Sequence, residues 1–379
     1  MTQVIRPFTL HVPQTELDDL AIRLDRTRWP EHETAQGWAQ GVPLDTMRAL
    51  VEHWRTRYDW RRCEAMLNGF GQFITEIDGL DIHFLHVRSP HPGAVPIVLT
   101  HGWPGSVIEF HKVIGPLVDP VAHGGDAADA FHVVAPSLPG YGLSGKPGGE
   151  GWGVEKIARA WAQLMRGLGY DRYFAQGGDW GASVTMALGH QAPEGLAGVH
   201  FNMLAITPAD PGPDLDEEEA SSLAALKYYF DVEAAYARLQ GTRPQTLGYA
   251  LADSPVGQAA WIYEKLRNWS DCGGDPESIF SKDEILDNIT LYWLTNSGAS
   301  SGRLYWESMG SFGPRTIDLP LGFSHFPKEI IPPARKWADR VFSDIIHWNR
   351  LERGGHFAAF EQPELFVDEV RACFRRLRV

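Results

Sequence analysis

The stretch "RYFAQGGDWGASVTMALGHQ" (172–191) limits what this chain can fold into more than any other. A short apolar run enters a glycine turn and leaves as an apolar helix, with Asp179 at the apex between Gly177-Gly178 and Gly181. A bend of this kind lifts its central side chain clear of a sheet, as a nucleophile elbow does, and it needs small neighbours to close. The bland alternative is an aspartate that merely caps a helix. The same rhythm appears twice upstream: "VPIVLT" (95–100) runs into "HGWPGS", and "FHVVAPS" (131–137) into "LPGYGLSG". Ahead of residue 172, Val154, Ile157, Trp161, Leu164 and Leu168 fall on one helical face. Buried strands alternating with helices predict an α/β fold. Its sheet should be mostly parallel and covered on both faces, with ligand chemistry at the strands' C-terminal ends.

Four blocks follow from the patterning. Residues 1–70 read as a tryptophan-rich helical meander, in which Leu17, Leu20, Ile22 and Leu24 keep near-helical spacing until Pro30 stops the pattern. Residues 71–205 read as the first part of the core and open with two alternating runs around Asp78-Gly79, a hairpin signal. Residues 206–314 break the alternation. They are mostly helical, carry a Ser281…Glu284 capping box, and read as a cap over the sheet. Residues 315–379 return to the core, with strand-like "LPLGFSHF" (319–326) and "DIIHWNRL" (344–351) before a closing helix.

Composition narrows the partners. A formal net charge of −14 argues against nucleic acid or an anionic membrane. The acids of "DLDEEE" (214–219) suit the start of a solvated helix. Cys63, Cys272 and Cys373 are scattered without metal-like spacing, so they read as free thiols in a reducing, cytoplasmic setting. No stretch reaches the roughly 18 apolar residues of a membrane span. The first residues also lack the basic-then-apolar pattern of a signal peptide.

The chemistry expected of Asp179 calls for partners on neighbouring loops. In "HGWPGS" (101–106) the backbone N–H of Trp103 can join that of Trp180 in an oxyanion hole, where one donor is typically worth about 2.7–4 kcal/mol. His101 reads as a brace for this loop. The base is His356, in the glycine turn of "ERGGHFAAFEQPELF" after the last strand, in the chain order nucleophile, acid, histidine. Glu329 in "HFPKEIIPP" is the fitting acid, with Asp339 and Asp344 as competitors.

These segments resemble epoxide hydrolases of the microsomal and juvenile-hormone type, within the α/β-hydrolase fold. The likeness runs nearly end to end, through "RPFTLHVP", "TRWP", "HGWPGS", "GGDWG", "DSPVGQAAWIYEKLRNW", "TLYWLTNS" and "RGGHFAAFEQPELF". It implies an ether-bond hydrolase that needs no cofactor or metal; unlike the membrane-bound members, this chain is expected to carry no anchor before "RPFTLHVP". It also implies two cap tyrosines that hold the epoxide oxygen, Tyr236 and Tyr305, which the residues alone do not distinguish from Tyr228, Tyr229, Tyr249, Tyr263 and Tyr292. The expected partners are a small-molecule epoxide and water, with a homodimer left open. Trp103, Trp180 and the aromatic cap point to a bulky apolar or aryl substrate, with detoxification, catabolism and natural-product biosynthesis all open as its setting.

An epoxide also explains the carboxylate. Ring opening is displacement at a saturated carbon, so a serine would end as an inert ether, whereas an aspartate ends as an ester that water can cleave. A haloalkane dehalogenase uses the same aspartate and histidine but wants N–H donors for a halide, whereas the tyrosine pair offers O–H. A non-catalytic binding protein on the same fold is the remaining alternative, and turnover of an aryl epoxide separates it.

Overall fold

Nine strands form one twisted sheet in the computed structural model, which describes residues 4–208 and 210–378. They are β1 (Ile5–Pro7), β2 (Gln72–Ile77), β3 (Leu80–Val87), β4 (Val95–Thr100), β5 (Phe131–Pro136), β6 (Tyr173–Gly177), β7 (Leu196–Phe201), β8 (Leu321–His325) and β9 (Ile345–Arg350). Their spatial order is β1-β2-β3-β5-β4-β6-β7-β8-β9. The first three run antiparallel, β3 joins β5 antiparallel, and from β5 to β9 every pairing is parallel. The β2–β3 turn is the Asp78-Gly79 pair, with φ of 50° and 77°, the positive values that a tight hairpin turn demands at both central residues.

Parallel strands buried on both faces need helices on both sides. On one side the helix Val154–Gly167 lays Val154, Ile157, Trp161 and Leu164 against the sheet. On the other, the closing helix Pro363–Arg375 brings Phe374 to stack on Phe174 at 4.3 Å between ring centroids. Strands β4 and β6 are neighbours, so the loops that leave their C-terminal ends, carrying Trp103 and Asp179, must meet.

Between β7 and β8 the chain makes a helical layer over these loops. It includes Glu217–Tyr228, Ala235–Thr242, Pro244–Asp253, Pro255–Trp269, Lys282–Leu294 and Gly298–Ser308, with a π-helical turn at Tyr229–Glu233. Ser281 and Glu284 close both halves of the capping box at the start of Lys282–Leu294. The N-terminal block grips this layer from outside: His53 Nε2 lies 2.7 Å from Asp283, and Tyr58 and Arg62 reach Asp287 at 2.9 and 2.6 Å. None of the helices among the described residues is long and apolar enough to cross a membrane.

Two expectations for the N-terminal block need correction. It is not helical throughout, because Ile5–Pro7 pairs with β2 as the edge strand β1, held by backbone bonds too few to leave a sequence period. Its first helix, Gln14–Asp25, ends short of Pro30 and buries Leu20 and Leu24, while Ile22 faces solvent at 48% exposure. The three cysteines are buried and unpaired.

The helix Lys282–Leu294 also pins the loop after β4. Asn288 Nδ2 donates to the Pro104 carbonyl at 2.7 Å, the Ser106 hydroxyl to Asn288 Oδ1 at 2.8 Å, and the Tyr292 hydroxyl to the Gly105 carbonyl at 2.8 Å. Tyr292→Phe leaves that buried carbonyl without its donor. Urea unfolding should show a loss of about 1–3 kcal/mol; unchanged stability would mean that the bond does not brace the loop.

Candidate active site

Asp179 sits at φ 52° and ψ −129°, an uncommon backbone for a non-glycine residue and a strain of about 1–3 kcal/mol. The bend survives because its surroundings are stripped of side chains. A Cβ on Gly181 would lie 1.9 Å from the Thr100 carbonyl oxygen, and one on Gly102 would lie 2.1 Å from Asp179 Oδ1. The outcome is a carboxylate aimed out of the sheet at the N-terminus of the helix Trp180–Gln191, whose first-turn amides have no intrahelical acceptor. The backbone N–H of Trp103 donates to Asp179 Oδ1 at 2.7 Å.

His356 Nε2 stands 3.2 Å from Asp179 Oδ2, and its Nδ1 is 3.0 and 3.1 Å from the two oxygens of Glu329. The residue is held from behind: the backbone N–H of His356 donates to the Trp269 carbonyl at 2.9 Å, and the Trp269 ring meets the imidazole edge-on at 5.1 Å. Glu329 is fixed in turn by the Ile330 amide at 2.7 Å. Burial disfavours a charged imidazole, but Glu329 and Asp179 on either side outweigh it and hold its pKa well above the ordinary histidine range. The competing acids lie elsewhere. Asp339 pairs with Arg335 at 2.7 Å, and Asp344 lends its carbonyl to Leu321 beside β9. His101 braces its loop, with Nδ1 3.0 Å from the Gly102 carbonyl and Nε2 accepting from the Leu138 amide.

Above the carboxylate lies a cavity of about 290 Å³, mostly apolar, walled by Tyr236, Tyr305, Met203, Leu226, Phe312 and Ile330 among others. Tyr236 and Tyr305 have ring centroids 5.7 Å apart, and the buried Tyr305 hydroxyl has no partner among the described residues. Burial foremost, then neighbouring tyrosines and the Asp179 charge, raises both hydroxyls well above the usual phenol pKa, so both stay protonated at neutral pH. Both tryptophans sit outside this cavity's lining. Trp103 stacks beneath Tyr236 at 4.7 Å, and Trp180 is fully buried against Tyr305 and Phe312. Both rings therefore stand behind the tyrosines, and Trp103 also lines the smaller chamber beside Asp179.

Two residues that sequence reasoning passed over belong here. Tyr229, on the π-helical turn, places its hydroxyl 3.0 Å from that of Tyr236 and lines the same cavity. Glu109 lines a second, much smaller chamber on the far side of Asp179. Its signal was an acid inside the otherwise apolar "VIEF" just after "HGWPGS". The arrangement as a whole offers a buried carboxylate, a charge-paired imidazole and two neutral O–H donors across an apolar cavity. Displacement on an uncharged apolar molecule suits it, with the departing oxygen caught by an acid.

Residues 5–110 match the family model for the epoxide hydrolase N terminus, and residues 95–244 that for the alpha/beta hydrolase fold. A Stigmatella aurantiaca protein assigned as an epoxide hydrolase is 58% identical over 99% of this chain and 86% of its own length. Epoxide hydrolase 1 of Oryctolagus cuniculus is 35% identical over 97% of this chain and 88% of its own. Among solved structures, Aspergillus niger epoxide hydrolase superposes with a TM-score of 0.89 at 34% identity, covering 99% of this chain and 97% of that one. With a carboxylate at the elbow and relatives matched across nearly their whole length, the chain belongs to the epoxide hydrolase family of the α/β-hydrolase fold.

Proposed function

We propose that the enzyme opens its epoxide by a covalent route in which Asp179 is the nucleophile, Tyr236 and Tyr305 the acids, His356 the base for water and Glu329 the support of His356. The observation that carries this reading is the position of Asp179, which faces the tyrosine-lined cavity on one side and His356 on the other. Asp179 Oδ2 attacks a ring carbon and the C–O bond breaks. The freed oxygen takes a proton from a tyrosine, leaving an alkyl ester. Water then loses a proton to His356 and adds to the ester carbonyl, and the oxyanion on Oδ1 rests on the Trp103 and Trp180 amides. Collapse releases the vicinal diol, which carries off the Asp179 oxygen.

Charge sets the order of these steps. In the resting site two carboxylates flank the imidazole and keep it protonated. Esterification cancels the Asp179 charge, so the His356 pKa falls and its proton can restore the spent tyrosine. The histidine becomes a base only once there is an ester to hydrolyse.

The cavity's apolar walls and about 290 Å³ volume support a bulky apolar or aryl epoxide over a small polar one. Three unpaired buried thiols support a cytoplasmic setting.

Replacing His356 by Gln should leave alkylation intact and stop hydrolysis. Intact-mass spectrometry after exposure to an aryl epoxide should then show protein heavier by one substrate; an unmodified mass would contradict the covalent route. Changing Tyr236 and Tyr305 together to Phe should slow ester formation by about 10²–10⁴-fold, the range of general acid catalysis. Ester hydrolysis, followed in the same rapid-quench experiment, should hold within a few-fold. Equal slowing of both steps would remove the pair from the leaving-group role.

A further inference from the structure

Asp179 is shared by two cavities that have no other lining residue in common. One is the apolar cavity described above. The second measures about 20 Å³, the room of a single water molecule. Its walls include Asp179, His356, Gln176, Asn202 and Glu109. Asn202 Oδ1 accepts from Gln176 Nε2 at 2.8 Å, which leaves Gln176 Oε1 without a partner among the described residues. The Glu109 carboxyl is approached by the Ser106 backbone and by no described side-chain donor.

The fold makes unusual room for that carboxyl. A Cβ on Gly105 would lie 1.2 Å from Glu109 Oε1, so the position after Pro104 must be bare for Glu109 to fold back beneath its own loop. That loop is the one clamped by Asn288 and Tyr292. Burial, with the nearby Asp179 charge adding to it and His356 opposing, pushes the Glu109 pKa up to about 8, so at neutral pH it is mostly a neutral acid. A neutral group is what this wall requires, since a third carboxylate beside Asp179 would repel the charge on which alkylation depends.

We infer that Glu109 holds the hydrolytic water in the small chamber, on the face of Asp179 opposite the epoxide. This rests on the covalent reading above and extends it. A water with one O–H toward His356 needs an acceptor for the other, and the Glu109 carbonyl oxygen supplies it. The lone pair is then free to face the ester carbon. In the balanced step, His356 takes one water proton, the remaining hydroxide bonds to the Asp179 carbonyl carbon, and Glu109 keeps its own proton throughout. Segregating the two reactants also removes any competition between water and epoxide for one space.

The test separates the half-reactions in the full-length enzyme, with styrene oxide as probe. For Glu109→Leu, rapid-quench kinetics should show ester hydrolysis slowed about tenfold or more, the scale expected when a reactant loses its alignment. Ester formation should stay within twofold, and the steady-state mass spectrum should shift toward the alkylated protein. Glu109→Gln keeps the accepting oxygen and should recover most of the hydrolysis rate. Gly105→Ala, which displaces the carboxyl without removing it, should reproduce the Leu defect and serves if the Leu variant does not fold. Unchanged hydrolysis in a folded Leu or Ala variant, no recovery with Gln, or equal slowing of both steps would each overturn the role of Glu109. If His356→Gln meanwhile traps the ester, the covalent reading stands regardless; if it traps none, that reading fails first.

Discussion

The structure depends on holding a carboxylate at a backbone bend that a side chain rarely tolerates. Asp179 occupies positive φ because β6 must turn sharply into its helix. The turn closes only where the crossing chains carry no side chains. The Thr100 carbonyl lies where a Cβ of residue 181 would be, and Asp179 Oδ1 where one of residue 102 would be. Strain of this kind persists only when the surroundings over-determine it. Here the pairing of β4 with β6, the cap helix clamped on the Pro104–Ser106 loop, and the Trp103 amide bond to Oδ1 all fix the same carboxylate.

From that position the rest of the site follows as electrostatics. Two acids and one imidazole, all nearly excluded from solvent, form a row in which the central histidine is stabilised as a cation by both neighbours. A buried pair missing one partner is costly. Chemistry that neutralises Asp179 is therefore also chemistry that releases a proton from His356. On the other side the tyrosines are kept neutral by burial, which suits them to donate to an oxygen developing negative charge. Trp103 links the two halves. Its amide holds the carboxylate, while its ring stacks under Tyr236 and meets Tyr305 edge-on.

Much of this was legible in the chain. Asp179, Glu329 and His356 each follow a short strand in a turn with its own signature, and a parallel sheet brings such turns together whatever lies between them. The hairpin at Asp78-Gly79 and the cap on Lys282–Leu294 were equally plain, because local chemistry determines both. The tyrosines were not. Tyr236 sits in an eight-residue helix among several aromatic neighbours, and only the family likeness singled it out. Where the Trp180 ring lies was not legible either, since a position next to Asp179 says nothing of which way a helix turns its ring. Strand β1 left no trace because three residues are too few to show a period. Glu109 left only the faint signal of an acid in an apolar run, and its place depends on an absent side chain four residues earlier, a relation no periodicity expresses.

The central claim is an ester between Asp179 and the substrate, and the origin of the diol's oxygen tests it most directly. In a single turnover with enzyme in excess, run in ¹⁸O-enriched water, the account predicts an unlabelled diol and one ¹⁸O retained in the peptide that contains Asp179. A diol carrying the label after that first turnover, with the peptide unlabelled, would mean that water attacks the epoxide itself and would contradict the account.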